Sequence, residues 1–177
     1  MYLVVLVLHI FLDIGMGRRY YVLTMNTQTH TLNDGGRAAA GYRGETGDCV
    51  CRAIAIAAQL PYQVVYDGLN AAAIGERKGK RKRGTSSART GVYTPTIRRY
   101  MASLGWTWTP TMAIGSGCKV HLRADELPGG RLVVSLSKHY TAVIDGAIHD
   151  THDPSRNGTR CVYGYYQQSR HTQGGRI

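Results

Sequence analysis

Apolar residues recur with helical spacing directly after position 48. In the stretch GETGDCVCRAIAIAAQL they fall at i, i+3, i+4 and i+7 counted from Val50, and a second apolar stripe starts at Cys51. A helix that is apolar on nearly all sides lies in the centre of a domain. The pattern therefore predicts a buried central helix, capped by Thr46 or Asp48 and ended by Pro61.

The remaining pattern predicts two further helices and then strands. PYQVVYDGLNAAAIG is typical of an amphipathic helix that starts at Pro61, and TPTIRRYMASLG of a short helix that starts at Thr94. WTWTPTM and RLVVSLS have strand patterns, HYTAVIDGAIHDTHD is a hairpin turning at Asp145-Gly146, and RCVYGYYQ is predicted as an edge strand. Helices followed by an antiparallel sheet indicate the α+β class.

The length and composition fit one globular domain. The chain has 177 residues, of which 43% are hydrophobic and 19% are charged. We predict a poorly defined lead-in over residues 1–32, one domain over residues 33–166 and a flexible tail over residues 167–177.

The apolar run at the start of the chain, residues 2–12, is shorter than the roughly 20 residues that span a bilayer. It also lacks the basic region and cleavage site of a signal peptide. Three readings of it stay open: a short interfacial anchor, an extra strand, or sequence upstream of a true start at Met16 or Met25. We expect no membrane partner from this run.

The net charge is +11, with 22 Lys and Arg against 11 Asp and Glu, which favours an acidic partner. Six basic residues occupy seven successive positions without apolar periodicity, which predicts a solvated loop. This basic loop either contacts the phosphates of a nucleic acid or aids solubility. Its members are Arg77, Lys78, Lys80, Arg81, Lys82 and Arg83.

The cysteines do not resemble a disulfide framework, so we expect a reduced, cytoplasmic protein. They are Cys49, Cys51, Cys118 and Cys161. A zinc site is an alternative for Cys118 and His121 with Cys161, or for the histidines at positions 139, 149 and 152. Because paired Cys-x-x-Cys ligand units are missing, we predict no metal and no cofactor.

Cys49 is the candidate nucleophile. The free N–H groups and the dipole of a helix N-terminus stabilise a thiolate and lower a cysteine pKa to roughly 3.5–7.5. Cys51 lies about 200° further round the helix, so the two thiols cannot face one partner. We therefore assign Cys51 to the core, although the simpler alternative is that both cysteines only fill space there.

The hairpin supplies a candidate base and its partner. With a two-residue turn at Asp145-Gly146, alternation of side chains puts His139, Thr141 and Asp150 on one face. A cysteine hydrolase needs an imidazole beside the thiol and a carboxylate that fixes the imidazole's tautomer. Asp150 is therefore the predicted carboxylate, and Asp153 takes its place if a bulge shifts the register.

Two motifs resemble a known superfamily. A DC…RAIAIA helix followed by a H-x-T-A-V-I-D-G-x-I-H-D-T-x-D hairpin is similar to papain-like cysteine peptidases, in particular compact phage and prophage proteins and the bacteriocin-processing domains of peptide exporters. The resemblance covers about residues 33–166. It implies a central helix, carrying the cysteine, packed on a C-terminal antiparallel sheet. It also implies a Cys49-His139-Asp150 triad that cleaves a peptide or isopeptide amide of a protein substrate.

One position departs from the exporter peptidases. They have an oxyanion-hole glutamine six residues before the cysteine, where this chain has Arg43. Arg43 or the backbone N–H of Cys49 is the expected oxyanion donor. The same triad would also serve a deamidase, a transglutaminase or an acyltransferase. The alternative from another class is a basic nucleic-acid-binding or inhibitory protein on an inactive papain-like scaffold.

Overall fold

A computed structural model describes residues 29–76 and 84–168. The helices are α1 (Cys49–Ala58), α2 (Tyr62–Ala73) and α3 (Thr94–Ser103). The strands are β1 (His30–Leu32), β2 (Trp106–Pro110), β3 (Arg131–Leu136), β4 (His139–Ile144), β5 (Ala147–Asp150) and β6 (Gly164–Gln168). The described residues contain no helix that is long and apolar enough to cross a membrane.

The predicted α+β class is confirmed, but the sheet is mixed. Its six strands have the order β1-β5-β4-β3-β6-β2. All neighbours are antiparallel except β1, which pairs with β5 in parallel, Leu32 lying opposite Asp150. Residues 30–32 fall in the predicted lead-in and not in a predicted strand. A segment of three residues between polar neighbours is too short to show the alternation of apolar and polar positions that indicates a strand.

Strand β6 is internal, which corrects its prediction as an edge strand. It lies between β3 and β2, and Tyr166 is 2% exposed. Gly164 allows the close approach of β2, since a Cβ at this position would lie 2.3 Å from the Trp108 ring. The short, aromatic strand β2, which the sequence did predict, takes the edge position instead.

The three helices cover one face of the sheet. Apolar residues of α1 are fully buried between α2 and the strands β3 and β4, and this core includes Ile54, Val133 and Ala142. The α1 helix ends at Ala58 because Gln59 adopts a left-handed conformation, with φ 55°. The central position predicted for this helix is therefore confirmed.

A second apolar cluster lies apart from the helical core and joins the sheet to irregular segments. It combines Leu122 and Val162 with buried residues of β3, β4 and β5. The two segments pair with each other, since the Leu122 N–H donates to the Arg160 carbonyl and the Val162 N–H to the Val120 carbonyl, at 2.8 and 2.9 Å. This pairing brings together residues that are distant in sequence.

Cys118 and Cys161 form a disulfide, which corrects the expectation of four free thiols. Their Cα atoms lie 5.7 Å apart across the paired segments, although 43 residues separate them in the chain. No local pattern could indicate this contact, because it depends on the course of two irregular segments. Cys49 and Cys51 are free.

Reduction of the disulfide should destabilise the domain without changing the nucleophile. Opening a covalent loop of this length is expected to lower the free energy of unfolding by about 2–4 kcal/mol. Urea denaturation of a Cys118→Ser/Cys161→Ser variant measures this loss. Iodoacetamide labelling of Cys49 serves as the control and should keep its rate; an unchanged denaturation midpoint would contradict the prediction.

Candidate active site

Cys49 is the first residue of α1 and is half-buried, whereas Cys51 is fully buried. Asp48 occupies the N-cap position, as predicted, but its side chain makes no capping hydrogen bond. The first N–H groups of a helix have no partner within the helix, and those of α1 lie at the end that carries the thiol. Burial raises the pKa of Cys51 to about 12, which leaves Cys49 as the reactive thiol of the pair.

His139 starts strand β4 directly after a tight turn. Leu136 pairs with His139, so Ser137 and Lys138 alone connect β3 with β4. The start of β4 lies beside the N-terminus of α1, because this helix packs along the strand. The His139 imidazole lies close enough to the Cys49 thiol to lower the pKa of that thiol.

The hairpin has the register that the sequence predicts. Asp145 and Gly146 both have positive φ, 48° and 82°, as a type I′ turn requires, and Ile144 pairs with Ala147. Counting outward from this turn brings Asp150 to His139. The Nε2–H of His139 donates to Oδ2 of Asp150 at 2.7 Å. Because Asp150 occupies Nε2, Nδ1 is the ring atom left for the thiol.

The three groups shift one another's pKa values. Burial raises the pKa of Cys49, but the hydrogen bond and positive charge of His139 outweigh it and hold that pKa below its ordinary value. Burial lowers the pKa of His139, but Asp150 and Cys49 raise it to about 9. The imidazole therefore holds a proton more tightly, and the thiol releases its proton more easily, than either group would alone.

Asp150 is held as a carboxylate by its surroundings. Burial raises its pKa, but His139 and the backbone N–H of Thr151 hold the pKa below its ordinary value. The Thr151 N–H donates to Oδ1 of Asp150 at 2.7 Å, and Asp150 is 3% exposed. An ionised carboxylate accepts hydrogen bonds only, so it fixes the Nε2–H tautomer of His139.

A buried ionic cluster around Asp48 adjoins the N-terminus of α1. Oδ2 of Asp48 accepts a hydrogen bond from the Tyr62 hydroxyl and pairs with Nε of Arg37, both at 2.7 Å. Arg52, one turn along α1, lies 3.2 Å from Asp48 and 3.9 Å from Asp150. Arg52 therefore connects the residue before the nucleophile with the carboxylate of the proposed triad.

Sequence reasoning did not assign these supporting residues a role. Asp48 and Arg52 have the i,i+4 spacing of a helical ion pair, and Arg52 is the single charge in an apolar helix. Those two signals were sufficient to predict their contact. Arg37 carried no signal, because its contact with Asp48 depends on the course of a loop.

The recorded hydrogen bonds of the alternative site residues are with other groups. Asp153 is exposed, and its Oδ1 accepts the Ser155 N–H at 2.8 Å, as in a turn. Arg43 is exposed, and its carbonyl accepts hydrogen bonds from Arg37 and Arg89 at 3.1 and 3.3 Å. Neither contact involves Cys49 or His139.

Two further predictions concern the basic loop and a metal site. The basic loop, residues 77–83, lies outside the described residues. Within residues 29–76 and 84–168, no three His, Cys, Asp or Glu side chains are grouped to hold a metal ion. The disulfide also removes the thiols of Cys118 and Cys161 as ligands.

The pKa shifts predict a pH profile for alkylation of Cys49. In the wild type, the iodoacetamide rate should rise with a midpoint below the roughly 8.5 of an ordinary thiol. In His139→Ala the midpoint should rise above that value, because burial still raises the thiol pKa and the cation is gone. Mass spectrometry of the Cys49 peptide measures both rates, and buried Cys51 is the internal control. Equal midpoints in the two proteins would contradict the assignment of the ion pair.

The site thus joins a helix N-terminus and one hairpin. The imidazole contacts the carboxylate and also lowers the pKa of the nearby thiol, so it lies between the two groups. This order activates a sulfur nucleophile and supplies a proton to a leaving group. Comparison of the chain with protein-family models, with curated proteins and with solved structures found no match.

Proposed function

We propose that this chain is a papain-like thiol hydrolase that cleaves a peptide or isopeptide amide bond. The observation that supports the proposal is the 2.7 Å hydrogen bond between His139 and Asp150, with the same imidazole close enough to the Cys49 thiol to lower the pKa of that thiol. The opposite pKa shifts of Cys49 and His139 agree with it, since an activated thiol needs a paired imidazolium.

The proposed reaction has two steps. The Cys49 thiolate attacks the amide carbonyl carbon, and the imidazolium of His139 gives its proton to the leaving nitrogen as the C–N bond breaks. The resulting thioester is then attacked by a water molecule whose proton passes to His139, and the C–S bond breaks to release the acid. The charged oxygen of each tetrahedral intermediate is assigned to the backbone N–H of Cys49, with Arg43 as the second candidate donor.

The proposed setting is the cytoplasm of a bacterial host, for a protein of phage or prophage origin. Two features of the sequence support it, the helix and hairpin motifs that resemble phage proteins. The Cys118–Cys161 disulfide is uncommon for that reducing compartment, whereas Cys49 is a free thiol and is available for chemistry.

Replacement of Cys49 tests the proposal. Wild type should release nitrophenol from p-nitrophenyl acetate in a burst of one equivalent and should cleave members of a panel of peptides and ubiquitin-like conjugates. Cys49→Ala should lose both activities, because it lacks the attacking sulfur. Cys51→Ala is the matched control and should keep them, since Cys51 is buried in the core.

Two results would overturn the proposal. One is equal hydrolysis by wild type and Cys49→Ala. The other is a Cys49 that resists iodoacetamide near neutral pH in a protein that is retained on DNA in a salt-dependent manner, which would favour the nucleic-acid-binding alternative.

A further inference from the structure

A groove adjoins His139 on the side away from the helices. Its volume is about 590 Å³, and it lies between the turn that precedes β4 and the segment that follows β5. Cys49 does not line it, so it extends from the imidazole and not from the thiol. The lining residues are Ser137, Lys138, His139, His152, Asp153, Pro154, Arg156 and Arg160.

The groove is predominantly cationic. Lys138 and Arg156 are exposed, and Arg160 is half-buried and donates to the Ser137 carbonyl at 2.6 Å. The single carboxylate of the lining, Asp153, already accepts the Ser155 N–H. Lys138 and Arg156 therefore have charged ends that are available to an anionic group in solution.

The backbone around the groove is held in an unusual conformation. Among the described residues, five side-chain-bearing positions have positive φ, and three of them, Lys138, Arg156 and Asn157, lie in the two segments that form this groove. Such positions are uncommon outside turns and accumulate at binding sites. Lys138 belongs to one of these two segments and Arg156 to the other.

The position of the groove indicates which part of a substrate it would meet. During acylation His139 gives its proton to the leaving nitrogen, so the leaving portion of the substrate passes the imidazole. The acyl portion instead stays attached to the Cys49 sulfur. A groove lined by His139 but not by Cys49 therefore lies on the leaving-group side.

We propose that this groove binds a carboxylate in the leaving portion of the substrate, through Lys138 and Arg156. This inference rests on the proposed function and adds a substrate class to it: amides whose amine portion carries an acidic side chain close to the cleaved bond. Charge complementarity of this kind selects among substrates and also steers them to the site.

Acyl transfer from Cys49 to small amines tests whether the groove binds a carboxylate, and it does not require the natural substrate to be known. p-Nitrophenyl acetate acetylates the Cys49 sulfur with release of p-nitrophenol. An added amine then attacks the thioester carbonyl, its proton passes to His139, and the C–S bond breaks to give an acetyl amide and free enzyme. This step is the reverse of acylation by that amide, so the amine occupies the leaving-group side.

The amines are matched pairs that differ only in charge. Aspartyl-glycine amide is compared with asparaginyl-glycine amide, and glycyl-aspartate amide with glycyl-asparagine amide. The ratio of acetyl dipeptide to acetate, measured by mass spectrometry, reports the preference independently of the acylation rate. In at least one pair, wild type should favour the aspartate amine by about three- to tenfold, as expected for exposed ion pairs.

Charge reversal supplies the decisive comparison. Arg156→Glu, and separately Lys138→Glu, should remove the preference for aspartate or invert it. Lys119→Glu is the matched control, because Lys119 is exposed outside the groove and the change in total charge is identical. It should keep the wild-type ratio.

The two possible failures are distinguishable. If wild type shows no Cys49-dependent nitrophenol burst, the proposed function fails, and this inference fails with it. If the burst occurs but the aspartate and asparagine amines give equal ratios in both pairs, only the inference about the groove is overturned. Equal ratios in wild type and both groove variants would also overturn it, whatever their absolute value.

Discussion

Asp150→Asn should lower the turnover of a peptide substrate by about 10²- to 10⁴-fold, by analogy with the carboxylate of the serine triad. The amide cannot stabilise the imidazolium by charge, so the proton moves back towards the thiol. The substitution keeps the shape of a side chain that is 3% exposed, and the fold should persist. Initial rates together with far-UV circular dichroism measure both expectations.

Asp153→Asn provides the matched control for this substitution. It makes the same chemical change three residues further along the chain, at an exposed carboxylate whose Oδ1 contacts the Ser155 N–H. We expect turnover to fall by less than about threefold, because surface substitutions away from such networks have small effects. A larger loss from Asp153→Asn than from Asp150→Asn would assign the carboxylate of the triad to Asp153.

The contact between His139 and Asp150 could be predicted because a short turn fixes the register of a hairpin. Asp145-Gly146 is a strong local signal, and the pairing of Ile144 with Ala147 follows from it. Counting residue pairs outward from that turn puts His139 and Asp150 on one face of the hairpin. A bulge would shift the register by one residue and put Asp153 there instead. The structure has the two-residue register.

Contacts between distant segments could not be predicted in the same way. Strand β1 has three residues and owes its existence to the edge of β5, as the pairing of Leu32 with Asp150 shows. The Cys118–Cys161 disulfide depends on the pairing of two irregular segments. In each case the stabilising partner lies far along the chain, so a local pattern carries no information about it.

The buried ionic cluster around Asp48, the Asp48 cluster, contains one contact that a local pattern indicates and one that it does not. The pair with Arg52 has a local helical spacing, whereas Arg37 reaches the same carboxylate from a loop. Arg37 also donates to the carbonyls of Arg43 and Gly44, at 3.1 and 2.6 Å. Through these contacts Asp48 fixes the loop before the nucleophile as well as the first turn of α1.

Asp48→Ala should therefore destabilise the domain strongly, by about 3–5 kcal/mol. Asp48 is 2% exposed, and its loss removes the nearest carboxylate from the mostly buried guanidinium groups of Arg37 and Arg52. Urea denaturation measures the free energy of unfolding of the variant and the wild type.

Asp125→Ala is the control that separates burial from pairing. The Asp125 carboxylate lies 2.8 Å from Nη2 of Arg123, close to the 2.7 Å of the Asp48–Arg37 pair, but both partners are about half exposed. Water screens that pair, so its loss should lower the free energy of unfolding far less than the loss of the Asp48 carboxylate. Equal losses for the two substitutions would show that the Asp48 cluster behaves as a surface ion pair. A large loss for Asp48→Ala alone identifies burial as the reason that this cluster holds the N-terminus of α1, and with it the Cys49 sulfur, in place.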